Sequence, residues 1–182
     1  MTGGQLLAEA ARHLAGARCV AEDGTVTIDV PREDWLAALA FARDTAGCDF
    51  FDWLTAVDEQ DKGLAVVVHL YSIEDRQHLL VRTLVPPDDP VLPTATLLFR
   101  GAAWAERETH ELFGVVFDGH PAPAPLLLPE GFEGHPLRKD FPLAARAAQD
   151  WPGAREPGER AAPARPRRRL APPGVPEGWQ PP

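Results

Sequence analysis

The sequence predicts an α+β fold: a small, mostly antiparallel sheet of about four strands with flanking helices, followed by a long irregular C-terminal arm. Three features predict it. Residues 4–15 carry apolar side chains at helical spacing, residues 50–85 hold three strand-like runs joined by short polar connections, and after residue 114 proline and glycine recur too often for a regular element. The 182 residues are enough for one domain with a core and an appendage.

The first third of the chain predicts a helix, a strand and a second helix. Residues 4–15 form a short amphipathic helix, and Thr25–Val30 alternates apolar and polar side chains as a strand does. Pro31 occupies the favoured first position of the next helix, and acidic residues follow it in the first turn. We expect this helix to end at Gly47.

The middle of the chain predicts a meander of three strands. The runs are Phe50–Val57, Leu64–Tyr71 and His78–Val85. Their connections are short and polar, which suits antiparallel pairing. We expect Val66–Leu70 to be buried on both faces because its residues are almost all apolar.

A third helix is predicted over Ala102–Phe113 and ends at Gly114. From Val115 onward we expect irregular backbone. We therefore predict an α+β core over residues 1–114, an extended partner-binding arm over 115–145, and a tail rich in proline and arginine over 146–182.

The tail differs from the rest of the chain in charge and composition. It holds 9 of the 20 prolines and carries 7 basic and 4 acidic residues, a net charge of +3, whereas the first 145 residues carry 11 basic and 23 acidic ones, a net of −12. Such a segment cannot form its own core, so we expect it to be disordered or wrapped on a partner. The overall charge of −9 argues against nucleic-acid binding, and the short basic run Arg165–Arg169 favours it only weakly.

The sequence lacks the common signatures of cofactor and covalent chemistry. Cys19 and Cys48 form no CxxC pair, and we expect them to be reduced, with Cys48 half-buried. No glycine-rich phosphate loop is present, and Ser72, the only serine, lies in a predicted turn. No signal peptide and no apolar run of membrane-spanning length is found, so we expect a soluble chain or one held at a membrane by partners.

Three histidines could in principle meet around a metal. The pair His110-Glu111 does not continue as HExxH, because Gly114 occupies the position of the second histidine. His120 and His135 have glycine and proline neighbours rather than supporting carboxylates. We expect all three histidines to hydrogen-bond locally in turns.

The third helix is highly charged. Glu106, Glu108 and Glu111 share it, and Arg107 lies one turn from Glu111. One interpretation is a solvent-exposed face with salt bridges, each contributing a few tenths of a kcal/mol. The other is a charged face that docks on another protein.

The segment EGFEGHPLRKDFPL at residues 130–143 favours docking. Pro136 and Pro142 exclude a helix, and they lower the entropic cost of holding an extended chain. Charged residues lie between the apolar anchors Leu137 and Phe141, a pattern typical of interfaces. We expect this segment to bind a neighbouring subunit.

Two long runs make the sequence recognisable. WAERETHELFGVVFDGHP (Trp104–Pro121) and LLLPEGFEGHPLRKDFPL (Leu126–Leu143) resemble the 30 kDa (C-type) subunit family of respiratory NADH–quinone oxidoreductase, complex I. The family signature has the form ERExxDxxGxxFxGHP, and Glu111 stands at its Asp position. Gly134–Pro142 matches a second signature, GHPLRKD[FY]P. The residues that fit the first signature are Glu106, Arg107, Glu108, Gly114, Phe117, Gly119, His120 and Pro121.

The resemblance implies a non-catalytic scaffold in the hydrophilic arm of the complex, peripheral on the cytoplasmic side of the inner membrane. It implies no catalytic, cofactor or metal residue in this chain, with FMN, iron–sulfur clusters and quinone held by other subunits. The implied partners are the D subunit of the complex, which helps form the quinone pocket, and its B subunit, which carries the last cluster. The expected interface residues are Glu106, Arg107, Glu108, Glu111, His120, His135, Arg138, Lys139, Asp140 and Phe141.

Two alternatives stay open. Similar subunits occur in membrane-bound nickel–iron hydrogenases, formate hydrogenlyases and deazaflavin-dependent dehydrogenases, and the signature does not separate them. A small stand-alone enzyme would instead use Glu106, Glu108 and His110 as acid–base groups.

Overall fold

The computed structural model describes residues 3–129 and 131–142, and it confirms the α+β fold. Three helices accompany a five-stranded sheet and a two-stranded one. The elements in chain order are α1 (Gly3–His13), β1 (Arg18–Glu22), β2 (Thr25–Val30), α2 (Trp35–Asp44), β3 (Phe50–Asp58), β4 (Leu64–Ser72), β5 (Gln77–Val85), β6 (Val91–Pro93), α3 (Ala102–Phe113) and β7 (Val116–Asp118).

The large sheet has the strand order β1-β2-β5-β4-β3. Strands β3, β4 and β5 form the predicted antiparallel meander, while β2 joins the sheet parallel to β5. The expectation of about four strands missed β1, which pairs antiparallel with β2 at the edge. Its five residues are exposed or half-buried and show no alternation, so the hydrophobic pattern carries no signal there.

The small sheet corrects the expectation that the chain is irregular from Val115 onward. Strand β7 pairs in parallel with β6, with Val91 opposite Val116. Each strand has only three residues, and the pairing is between segments far apart in sequence. This sheet positions the two chain segments that flank α3.

The core lies between one face of the large sheet and the helices. Val66, Val68 and Leu70 of the central strand β4 are fully buried, and Val67 on the opposite face is half-buried. Burial of each such side chain contributes about 1.5–3 kcal/mol. Cys48 is also fully buried rather than half-buried, and burial raises the pKa of its thiol to about 11.

The boundaries of α2 differ from the prediction. Pro31 precedes a short 3-10 turn over Arg32–Asp34, and the α-helix begins only at Trp35. The helix ends at Asp44, before Gly47 adopts a left-handed conformation with φ of +69°. Proline therefore precedes a 3-10 turn, and the α-helix begins one turn later with the buried Trp35.

The first compact unit runs to Phe141 and includes most of the arm predicted over residues 115–145. A second unit begins at Pro142, and the tail over 146–182 lies outside the described residues. The predicted disorder or wrapping of the tail therefore stays a prediction.

Candidate partner-binding site

Helix α3 buries the first glutamate of its signature. The Glu106 side chain is fully buried; its Oε1 accepts a hydrogen bond from the Ala95 amide at 2.7 Å, and its Oε2 accepts one from the Thr94 hydroxyl at 2.6 Å. Burial raises the pKa of this carboxyl, although both hydrogen bonds oppose the shift. Glu106 therefore ties the segment before α3 to the helix, and its side chain is buried within this chain.

The Glu111 side chain binds backbone amides of the arm. Its carboxylate accepts hydrogen bonds from the amides of Leu126, Leu127 and Leu128, at 2.6, 2.8 and 3.3 Å. Burial raises the pKa of Glu111, but these three donors outweigh it and the net shift is downward. The side chain is buried, so this signature residue also acts within the chain.

Arg107 grips the same segment from the next turn of α3. Its Nε donates to the Ala124 carbonyl at 2.6 Å, and one terminal nitrogen donates to the Pro125 carbonyl at 2.7 Å. The guanidinium lies over the Trp104 ring, 5.8 Å from its centroid. Residues one turn apart on α3 therefore hold both the carbonyl and the amide groups of residues 124–128.

The second half of the arm satisfies the carbonyl end of α3. His135 Nδ1 donates to the Glu111 carbonyl at 2.8 Å, and the Leu137 amide donates to the Leu112 carbonyl at 3.0 Å. Arg138 Nε donates to the Phe113 carbonyl at 2.6 Å. These carbonyls have no partner within a helix, and a cation is favourable at this end of the helix dipole.

Gly114 allows this close approach. Its φ is +81°, a conformation that L side chains rarely adopt. A Cβ there would also lie 2.7 Å from His135 Nε2 and 2.8 Å from a terminal nitrogen of Arg138. We call the contacts of α3 with residues 124–128 and 135–138 the latch.

All three histidines hydrogen-bond within the chain, but the expectation of local contacts in turns is wrong for most of them. Only the His110 contact with a carbonyl is local in sequence, and His110 lies on α3, whereas His120 and His135 bond to carbonyls 17 and 24 residues away. His110 Nδ1 donates to the Val115 carbonyl at 2.8 Å. His120 Nε2 donates to the Ala103 carbonyl at 3.0 Å, and its Nδ1 accepts from the Ala122 amide at 3.1 Å. Within residues 3–129 and 131–142, no three candidate ligands converge on a possible metal position.

The stand-alone enzyme hypothesis needs Glu106, Glu108 and His110 in one cleft. Glu106 lies inside the protein, whereas Glu108 is exposed on another side of α3. His110 is held toward the Val115 carbonyl. Glu106 and His110 line one cavity together with Arg107 and His120, but Glu108 does not line it, so the structure does not bring the three proposed groups together.

The remaining expected interface residues lie at or near the surface. Glu108, Lys139 and Asp140 are exposed, and Phe141 stacks on Phe132 with 6.0 Å between ring centroids. The Lys139 amide donates to Asp58 at 2.8 Å, the largest cause of the lowered pKa of that carboxyl.

The latch leaves three large apolar side chains exposed; sequence reasoning named Leu137 as an anchor but missed Trp104 and Leu127. Trp104 is 67% exposed, Leu127 58% and Leu137 51%. The first is in contact with Arg107, and the other two belong to the latched segments. Apolar residues on an arm have no periodicity, so only the contacts of the latch reveal which of them point outward.

Comparisons with known proteins agree with these observations. The family described as "Respiratory-chain NADH dehydrogenase, 30 Kd subunit" matches residues 28–147. The C-type subunit of the NADH-quinone oxidoreductase of Acidithiobacillus ferrooxidans is 41% identical over 131 residues, covering 66% of this chain and 64% of that protein. NADH-quinone oxidoreductase subunit 5 of Thermus thermophilus is 41% identical over 133 residues, covering 66% and 63%. The chain thus spans slightly less than two thirds of these relatives.

Two solved structures share the fold. The trypsin-resistant fragment (1–134) of Nqo5 is 31% identical with a TM-score of 0.59, covering 66% of this chain and 99% of the fragment. A chain of the membrane-bound sulfane sulfur reductase, an archaeal respiratory membrane complex, is 26% identical with a TM-score of 0.71, covering 79% of this chain and 87% of the other. The signature residues that build the latch lie within the matched range, and the chain belongs to the family of the 30 kDa subunit of respiratory-chain NADH dehydrogenase.

Proposed function

We propose that this chain is a non-catalytic scaffold subunit in the hydrophilic arm of a proton-translocating NADH–quinone oxidoreductase. Family membership supports the complex, and the latch supports the role. Three charged signature residues, Glu106, Arg107 and Glu111, hydrogen-bond within the chain, whereas Glu108 and several apolar side chains stay on the surface. Such a surface suits a partner protein better than a small substrate.

The observation that carries the proposal is the set of exposed apolar residues on and beside the latch. Trp104 and Leu137 are large and exposed. The Arg107 guanidinium lies over the Trp104 ring, and the Leu137 amide donates a hydrogen bond to the Leu112 carbonyl. Preorganised aromatic and aliphatic anchors reduce the entropy lost on binding. We propose that this surface, with Glu108, Lys139 and Asp140 around it, binds the neighbouring subunits, chiefly the D and B subunits of the complex.

The cofactors follow from the same proposal. FMN, iron–sulfur clusters and quinone are held by other subunits, and this chain holds none of them. The complex lies at the inner membrane, with this chain peripheral on the cytoplasmic side. Within the described residues, no helix has both the length and the apolarity to cross a bilayer. The purified chain is expected to be colourless, and a stoichiometric flavin or cluster spectrum would contradict the scaffold role.

The test is an affinity purification of the tagged chain from gently solubilised membranes. Mass spectrometry identifies the partners, and an NADH–quinone assay is run on the eluate. Recovery of the B and D subunits together with a flavin-binding one, and NADH activity in the eluate, would support the proposal. Recovery of the chain alone from the soluble fraction would refute it.

Point variants test the surface itself. Leu137→Ser should lower partner recovery by roughly tenfold, as expected for truncation of an interface anchor. Leu84→Ser is the matched control, because Leu84 is 47% exposed and lies on the large sheet, away from the latch. Equal recovery with both variants would remove Leu137 from the interface.

A second candidate is the same structural role in a complex with different electron-transfer chemistry. The likeness to a chain of the sulfane sulfur reductase supports it, with 26% identity and a TM-score of 0.71. The subunits that co-purify with the chain distinguish the two candidate complexes. A nickel–iron or sulfur-reducing large subunit without NADH activity would support the second candidate.

A further inference from the structure

The face of the large sheet opposite the core carries several large exposed side chains, and one half of it is aromatic. A row of consecutive Cα partners crosses all five strands: Phe50, Tyr71, His78, Thr25 and Glu22. Paired residues point to the same face, so these side chains lie side by side. Phe50 is 47% exposed although it is large and apolar.

The next row adds Trp53, which lies beside a chain of hydrogen-bonded side chains. Trp53 is paired with His69, and their rings lie 5.5 Å apart at an angle of 21°. A bulge in β3 places Asp52 so that its Oδ2 contacts His69 Nδ1 at 2.8 Å. His69 Nε2 in turn lies 3.0 Å from His78 Nδ1.

This hydrogen-bonded chain determines where the protons are when both histidines are neutral. The Asp52 carboxylate only accepts hydrogen bonds, so His69 Nδ1 carries a hydrogen and its Nε2 accepts. His78 Nδ1 is then the donor, and His78 Nε2 is left as an acceptor on the exposed face. No described residue donates to that nitrogen.

The loops and strand ends at this end of the sheet are acidic. They are the turns at residues 22–24 and 73–76, the end of the loop before β3, and the bulge. They contain one basic residue, Arg76, and all their acidic residues are exposed. These acidic residues are Glu22, Asp23, Asp49, Asp52, Glu74 and Asp75.

We propose that this half of the sheet binds a segment rich in arginine or lysine that belongs to a partner protein. Aromatic faces attract cations, exposed carboxylates add charge complementarity, and the neutral His78 Nε2 can accept a hydrogen bond from an arginine or lysine side chain. A second copy of this chain would place one acidic edge against another, which is unfavourable. The inference rests on the proposed function for the identity of the assembly, but the chemistry of the surface does not depend on it.

The first test uses the free full-length chain with an octa-arginine peptide and, as a probe of opposite charge, an octa-glutamate peptide. NMR should show the Trp53 indole and His78 ring signals shifting with octa-arginine and not with octa-glutamate. Glu22→Lys with Glu74→Lys should weaken binding of octa-arginine roughly tenfold. Glu33→Lys with Asp88→Lys makes the same change in net charge at the opposite end of the sheet and should weaken it far less.

Equal weakening by the two charge-reversed variants would overturn the proposal, because binding would then depend only on the acidic character of the whole chain. Octa-arginine binding without a shift at Trp53 or His78 would overturn it as well. Neither result would bear on assembly into a complex.

The second test uses the complex purified from membranes with a photo-crosslinking amino acid at Phe50. Cross-linking to a peptide of another subunit that contains arginine or lysine supports the proposal. Cross-linking to a second copy of this chain, to a peptide without basic residues, or to nothing in a complex that keeps its subunits overturns it. Loss of all subunits from the eluate would instead count against the proposed function, while the peptide titration still tests the surface.

Discussion

Replacing Glu111 by glutamine tests the latch. The carboxylate accepts amide hydrogen bonds from Leu126 and Leu128 on one oxygen and from Leu127 on the other. Glutamine keeps one acceptor oxygen but presents an NH₂ group to the other donor. The variant therefore leaves at least one amide facing a donor and removes the charge that strengthens all three bonds.

The magnitude follows from the loss of a hydrogen bond to a charged group. Such a bond contributes about 1.5–3 kcal/mol. If that free energy holds residues 126–128 on α3, their opening equilibrium should rise by roughly 10- to 100-fold. Global stability should fall less, because the core between the sheet and the helices is unchanged.

Amide hydrogen exchange, followed by NMR on the full chain, measures this opening. The amides of residues 126–128 should exchange roughly 10- to 100-fold faster in Glu111→Gln, with little change in β4. Glu108→Gln is the matched control, since it makes the same charge change on an exposed position of α3. Identical exchange in the two variants would refute the idea that Glu111 holds the arm.

Three further predictions follow from the same contacts. Glu106→Ala should destabilise the fold by about 2–4 kcal/mol, because it leaves the Ala95 amide and the Thr94 hydroxyl without their buried acceptor and creates a cavity. Glu106→Gln should cost little at pH 7, since its amide can donate to Thr94 and no buried charge remains. Chemical denaturation that ranks the two variants equally would contradict this prediction. Gly114→Ala should release residues 135–138 from α3, through both the strain of a positive φ and the clash with His135, and limited proteolysis within the arm should detect it; wild-type resistance would count against the required close approach. Because the folded pKa of Glu111 is lowered, its stabilisation is fully present above its ordinary pKa of about 4.3 and is lost as the pH falls through the lowered value, so amide protection at residues 126–128 should decrease in acid in the wild type but not in Glu111→Gln.

The sequence predicted the local elements well where one physical signal dominated. Thr25–Val30 and Ala102–Phe113 were predicted with the bounds that the structure has, because alternation and a terminal glycine mark their limits. Strand β1 and strand β7 were missed. Both are short and depend on a partner strand for their conformation, so their own residues carry little information about it.

The candidate site shows the opposite balance. The signatures identified the functional segment, but the charged residues in it were expected to face a partner. Glu106 and Glu111 are instead buried acceptors for hydrogen-bond donors that are 11 to 17 residues away in the chain. The identity of an acidic residue does not reveal whether its carboxylate contacts water, another protein or the backbone of its own chain.

The sequence by itself determined the α+β class, the meander, helix α3 and the family, because these depend on local periodicity and on residue identity at fixed spacing. Only the tertiary structure decided which of the signature residues act within the chain, and which side chains the latch leaves outward. The physical reason is that a hydrogen bond from Leu126 to Glu111, or a row of strands from Phe50 to Glu22, requires segments to meet in space. Those meetings depend on the packing of the whole domain and leave no periodic trace in the residues that take part.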